Sequence, residues 1–276
     1  MTLLVGLMLC LGCELAAQAT SAQATSTQAT PTQAEPVDVE LVLAVDISRS
    51  MDAGEFALQR AGYVAALRHP DFVDAVRAGL HGRIALTYFE WAGTVREETQ
   101  VPWQAIDSVE TAEVFASMLE SRPVRSFRGT SISSALTHGA GLFDDNSFDG
   151  ERRVIDVSGD GPNNIGLPVV MARDAAIMAG ITVNGLPILI RPSSTVRELD
   201  RYYAECVTGG PGSFVLPIRH ASEFATAIRR KLILEVSGLP ASELVIPAQA
   251  AEPMDCERGE RERRLFSDPY YPQLDK

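Results

Sequence analysis

Lysine is nearly absent from this chain of 276 residues: Lys231 and Lys276 are the only two, and the rest of the fixed positive charge is arginine. Acidic side chains outnumber basic ones and leave a net charge of −12. That balance argues against nucleic acid and against an anionic membrane surface as partners, because both attract excess positive charge. Histidine is sparse too. His69, His81, His138 and His220 all fall outside the candidate loops described below. No Gly-x-Ser-x-Gly run occurs, which counts against a serine hydrolase. The four cysteines, Cys10, Cys13, Cys206 and Cys256, match no zinc spacing. The apolar run over residues 3–13 is too short to cross a bilayer. It reads as the core of a signal peptide over residues 1–19, cleaved after the small residues Ala17-Gln18-Ala19, although no lysine or arginine precedes it.

What the chain does hold is organised around Leu41-Val42-Leu43-Ala44-Val45-Asp46-Ile47-Ser48-Arg49-Ser50. Five apolar residues in a row, closed by an aspartate, describe a strand buried on both faces. In open α/β sheets a ligand sits just beyond the carboxyl ends of such strands. Asp46, Ser48 and Ser50 therefore stand where a site belongs. One carboxylate and two hydroxyls are hard oxygen donors, suited to Mg²⁺ and poorly suited to soft metals. Asp52 can cap the following helix, with Glu55 closing a capping box.

Two later stretches offer oxygen in the same way. In Arg128-Gly129-Thr130-Ser131-Ile132 a Gly-Thr turn opens a helix. In Val154-Ile155-Asp156-Val157-Ser158-Gly159-Asp160-Gly161 another apolar strand ends in an aspartate. Taken singly, Thr130 reads as a helix cap, the serines as turn residues, and Asp160-Gly161 as a turn. Asp156 sits mid-strand, where a carboxylate needs a buried partner that the sequence does not name.

Taken together and in order, the three stretches resemble the von Willebrand factor type A domain. Its metal-ion-dependent adhesion site is written Asp-x-Ser-x-Ser, then a Gly-Thr loop, then an Asp-Gly strand end. The resemblance spans roughly residues 37–238, enough for one large domain. Residues 154–164 and the tail further resemble an uncharacterised family of secreted bacterial proteins carrying this domain. The resemblance implies that Asp46, Ser48, Ser50, Thr130 and Asp160 share one metal shell. The ion it implies is Mg²⁺, with Mn²⁺ or Ca²⁺ as alternatives. It further implies a non-enzymatic module that binds a protein or other carboxylate-bearing ligand through an open position on the metal.

A haloacid-dehalogenase-type phosphatase using Asp46 is the rival reading, since Gly159-Asp160-Gly161 resembles a turn of that family. Three departures weigh against it. Ser48 stands where that family has a second aspartate. No acidic residue stands near Asn164 where one is wanted. No lysine precedes the turn to hold phosphate, and arginine replaces a lysine point charge imperfectly. A third reading keeps the domain and makes its metal purely structural.

The remaining chain reads as follows. Lipidation at Cys13 is the second reading of the N-terminus, behind simple cleavage. A five-residue repeat of the Gln-Ala-Thr type fills residues 20–36 and has no large apolar residue, so it reads as a disordered linker. Residues 37–238 then alternate strands and helices. Strands are expected at 37–46, 84–91, 94–103 (an antiparallel edge), 154–158, 181–190 and 214–218. Helices are expected after Asp52 with Ala57, Ala61, Val64 and Leu67 inward, around Ala112, Phe115 and Leu119, around Ile132, Leu136, Ala140 and Phe143, at 167–180 and 195–206, and from Ser222 with Ala225, Ile228 and Leu232 inward. The His69-Pro70 step should end the first helix, and residues 144–150 read as an acidic surface turn. This alternation predicts a doubly wound, mostly parallel sheet with helices on both faces. Residues 239–276 read as a tail. Once a signal peptide is removed, Cys206 and Cys256 remain, and in an exported chain such a pair is expected as a disulfide pinning that tail. The compartment expected is the periplasm or the exterior, with a lipoprotein anchored through Cys13 as the alternative.

Overall fold

In the computed structural model, strands β1 (Glu35–Val37), β2 (Glu40–Asp46), β3 (Ile84–Trp91), β4 (Val95–Ile106), β5 (Phe148–Gly150), β6 (Arg153–Gly159) and β7 (Ile181–Pro187) alternate with helices α1 (Ala53–Leu67), α2 (Pro70–Arg77), α3 (Val109–Glu120), α4 (Ile132–Gly141), α5 (Val169–Met178), α6 (Leu199–Tyr202), α7 (Phe224–Ser237) and α8 (Arg258–Ser267). The structure describes residues 34–123, 125–144, 146–191, 193–238 and 252–267. The expected signal peptide, Cys13, the linker up to residue 33 and the tail segments 239–251 and 268–276 lie outside the described residues.

The main sheet runs β4-β3-β2-β6-β7. All its neighbours pair in parallel except β3 and β4. Every residue of β2 is buried, which is why its apolar run is unbroken: a central strand of a doubly covered sheet has no face for polar side chains. β4 carries a mixed pattern of buried and exposed residues, as an edge strand does. One face of the sheet contributes Leu41, Leu43 and Val45 to a core with Tyr63, Phe72, Phe115 and Ile228 from α1, α2, α3 and α7. The other contributes Val42 and Ala44 to a core with Leu136, Ala172, Tyr202 and Tyr203. The order of strands puts the ends of β2 and β6 side by side, and with them the loops that carry Asp46 and Asp160.

Several elements depart from expectation. The capping box is present: Asp52 accepts from the Glu55 amide at 2.9 Å, and Glu55 accepts from the Asp52 amide at 2.8 Å. Yet Ala57 and Ala61 of α1 face solvent, and Phe56, Tyr63, Val64 and Leu67 face inward. The first helix does end before His69, but the proline then opens α2, with His69 capping it. Proline suits the first helical position because the amide it lacks is unpaired there anyway. In the last helix Phe224, not Ala225, turns inward. Residues 144–150 include the short strand β5, which pairs with β1. The helix expected at 195–206 begins only at Leu199 and continues as a π-helical turn over Tyr203–Val207. The strand expected at 214–218 reduces to isolated bridges, Val215 to Gly185 and Ile218 to Ile188. Among the described residues no helix is long and apolar enough to cross a membrane.

The partner that Asp156 requires is Lys231. The lysine is buried on α7, and its Nζ lies 2.8 Å from Asp156 Oδ1 in an ion-pair contact. It also donates to Glu235, one turn further along the helix. Asn184 Nδ2 donates to the same Glu235 oxygen at 3.2 Å. One cation thus serves two buried carboxylates. Burial, and then the charge of Asp156, push the Glu235 carboxyl up to about 7. Cys206 and Cys256 form a disulfide, with Cα atoms 5.5 Å apart.

Candidate metal centre

β2 ends at Asp46, and the next five residues leave the sheet as a loop before Asp52 caps α1. The Asp46 carboxylate turns back on that loop. Its Oδ1 accepts the Ser48 amide at 2.7 Å. The hydroxyls of Ser48 and Ser50 are hydrogen-bonded at 2.8 Å, and Ser50 donates to Asp160 Oδ1 at 2.6 Å. Asp46, Ser48, Ser50 and Asp160 are therefore linked in one hydrogen-bonded run, through the Ser48 amide at its first step and through hydroxyls after it, and its last step joins residues 110 positions apart.

Thr130 approaches from a third loop. Phe127 bridges in parallel to Ser48, its amide donating to Ile47 O at 3.0 Å and its carbonyl accepting the Arg49 amide at 2.8 Å. Gly129 then turns with φ +86°, a conformation that L side chains rarely adopt, and a Cβ there would strike Ile165. Thr130 is clamped to the loop after β6 from both sides: its amide donates to Asn164 Oδ1 at 3.0 Å, and its carbonyl accepts the Asn164 amide at 2.8 Å. Its hydroxyl faces Gly161, 3.9 Å from where a Cβ on that glycine would stand.

The site is short of positive charge. Asp46 is fully buried, and its Oδ2 has no hydrogen-bond partner among the described residues. Burial, and next the nearby Asp160, hold the Asp46 carboxyl well above the usual carboxylate range. Burial also pushes Asp160 up to about 6, with Glu55 adding to the effect while the Ser50 hydrogen bond and Arg191 oppose it. Two buried carboxylates and an unpaired oxygen are what a bound cation would relieve. The donor set fits such an ion: two carboxylates and three hydroxyls, all hard oxygens. Among the described residues no three His, Cys, Asp or Glu side chains cluster as a metal site, so this set depends on its hydroxyls.

Two neighbours of the site carry no sequence signal. Tyr203, in the π-helical turn, buries its hydroxyl without a hydrogen-bond partner among the described residues. Burial, then the charges of Asp46 and Asp160, hold that phenol well above its usual range. A Cβ on Gly159 would lie 2.7 Å from the Tyr203 hydroxyl and 2.9 Å from Asp46 Oδ2, so the strand end has room only for glycine. Arg191, beyond β7, pairs with Asp52 and stands 3.4 Å from Glu55. The histidines are engaged elsewhere. His69 caps α2, His81 lies against Glu151, His138 stacks edge-on with Phe89, and His220 caps the turn before α7.

With this geometry in view, the family described as Protein of unknown function (DUF1194) matches residues 36–240. The chain belongs to the DUF1194 family. Solved structures that resemble this member include a mussel byssus protein, a von Willebrand factor type A protein and a pilus adhesin. Proximal thread matrix protein 1 from the mussel byssus is 17% identical with a TM-score of 0.53, over 74% of this chain and 48% of that one. The same mussel protein has been solved with a zinc-occupied MIDAS motif. A von Willebrand factor type A protein from Catenulispora acidiphila is 16% identical, TM-score 0.53, over 74% and 43%. The pilus adhesin SpaC from Lactobacillus rhamnosus GG is 13% identical, TM-score 0.50, over 73% and 31%. The DUF1194 chain thus spans less than half of each of these proteins, and at these identities the likeness is one of fold. No curated protein matches the sequence. The fold is the von Willebrand type A-like, doubly wound α/β sheet with one antiparallel edge strand.

Proposed function

We propose that this protein is a metal-ion-dependent binding module, acting outside the cytoplasm on a protein or other carboxylate-bearing ligand. The observation that carries the reading is the hydrogen-bonded run from Asp46 through Ser48 and Ser50 to Asp160, with one buried Asp46 oxygen left without a partner among the described residues. Asp46, Ser48, Ser50, Thr130 and Asp160 would hold the ion, directly or through water. Mg²⁺ suits this oxygen set, with Mn²⁺ and Ca²⁺ as alternatives. When bound, the ion would supply electrophilic attraction for a ligand carboxylate, because two carboxylates only just balance its charge.

The chain's own residues favour an acidic partner at this place despite the net charge of −12. Arg49 lies between the two serines and Arg128 two residues before Thr130. Both are exposed, and neither has an ion pair or side-chain hydrogen bond among the described residues. Two residues of chain span at most about 7 Å, so both guanidinium groups stem from the border of the site. The disulfide suits an oxidising compartment, in line with the periplasm or the exterior. Cleavage and lipidation at Cys13 both accord with that location.

A phosphatase reading finds little support. Ser48 occupies the position of its second aspartate, and Lys231 is buried between Asp156 and Glu235. The protein is accordingly proposed not to be an enzyme. The test is surface-plasmon binding of an immobilised poly-glutamate peptide. Retention in Mg²⁺ that disappears with chelator is the expected result. Retention indifferent to chelator, or phosphate release from phosphomonoesters that Asp46→Asn abolishes, would overturn it.

A further inference from the structure

The family match ends at residue 240, yet Gly259 and Glu260, well beyond it, meet the loop that follows Asp160. Their point of attachment is Asn163, three residues beyond Asp160 and fully buried. Its Oδ1 accepts the Ser133 amide at 3.0 Å, in the first turn of α4, the helix that Thr130 introduces. Its Nδ2 donates to Leu167 O at 3.0 Å and to Glu260 Oε1 at 2.7 Å. Its amide donates to the Tyr202 hydroxyl at 3.1 Å. That hydroxyl in turn lies 3.4 Å from Cys256 O. Asn163 therefore joins the Asp160 loop to the helix of the Gly-Thr loop, and the C-terminal segment grips it from outside.

The grip is built closely. Glu260 is 7% exposed, and its Oε2 has no hydrogen-bond partner among the described residues. A buried carboxylate is costly to keep, so its single strong bond to Asn163 is the evident return. Gly259 lets the first turn of α8 touch the loop, since a Cβ there would lie 2.1 Å from Asn163 O. The segment is itself tied down. The Cys206–Cys256 disulfide fixes one point, Arg201 donates to Glu252 O, and Glu205 accepts the Met254 amide at 2.9 Å.

We infer that this disulfide-anchored segment is a strap that positions the metal loops, with Glu260 and Asn163 as its positioning residues. It holds Asp160 and Thr130 at their separation before any ion arrives, so that binding does not have to order two loops. The inference rests on the metal reading above for its effect on affinity, but not for its effect on the loop.

The experiment compares wild type, Glu260→Ala, Glu260→Gln, Gly259→Ala and the double variant Cys206→Ser/Cys256→Ser. It reads Mn²⁺ affinity by titration and amide hydrogen exchange over residues 159–166, with exchange in β2 as the control for global unfolding. Glu260→Ala, Gly259→Ala and the double serine variant should bind Mn²⁺ at least about tenfold more weakly and exchange faster in 159–166. β2 should stay protected in Glu260→Ala and Gly259→Ala, and in the double serine variant exchange in 159–166 should rise by more than the general loss of protection read in β2. Glu260→Gln keeps an acceptor for Asn163 and should remain near wild type in both. Unchanged affinity and exchange in Glu260→Ala and Gly259→Ala would overturn the strap. So would loss in Glu260→Gln equal to that in Glu260→Ala. If wild type binds no Mn²⁺, the metal reading fails, and the exchange comparison still decides the strap.

Discussion

Burial holds the Asp160 carboxyl up at about 6, above the ordinary carboxylate value of ~4. A raised folded pKa has one sign of consequence. The support it lends is whole below about pH 4 and is lost as pH rises through about 6, because ionising a buried, uncompensated carboxylate works against the fold. In chelator, Asp160→Asn should therefore gain on wild type between pH 5 and pH 8, by on the order of 1–3 kcal/mol, in denaturant melts. A difference that does not change with pH would contradict the burial argument. The candidate ligand residues were legible in the sequence because each motif announces a strand end or helix start with oxygen attached. Tyr203 and Asn163 were not, since their importance comes from contacts across the fold: Tyr203 touches the space beside Gly159, and Asn163 meets Ser133 and Glu260.

At the scale of elements, α7 is joined to the centre of the sheet by a charge cluster as well as by Ile228 and Leu232. Lys231→Met would leave Asp156 and Glu235 buried with no cation. Breaking such a group by removing one member costs about 3–5 kcal/mol, and the loss should be greatest above pH 7, where Glu235 must ionise. Urea unfolding at pH 6 and pH 8 measures it; a loss below about 1 kcal/mol at both would contradict the pairing. The sequence announced Asp156 as a residue in want of a partner, but nothing local points across 75 residues to a lysine on another helix. The central strands were legible for the opposite reason, that burial on both faces leaves its mark residue by residue. The π-helical turn at Tyr203–Val207 reads as ordinary helix because its apolar spacing through Leu199, Tyr202 and Cys206 fits one.

For the molecule as a whole, the disulfide closes a span of 50 residues around the last helix of the family match. In the chain-entropy account such a closure is worth about 4 kcal/mol. Cys206→Ser/Cys256→Ser should lose stability of that order in chemical denaturation, and an unchanged midpoint would show that the cross-link does not constrain the unfolded chain. The central claim, however, concerns the ion. It is tested most directly by calorimetric titration of Mg²⁺ or Mn²⁺ into wild type, Asp46→Ala and Thr130→Ala, with circular dichroism as the folding control. Wild type should bind one ion with modest affinity, since hydroxyls and waters supply much of the shell. Both variants should keep the fold, Asp46→Ala binding none and Thr130→Ala binding more weakly. Equal binding by wild type and Asp46→Ala would contradict the account.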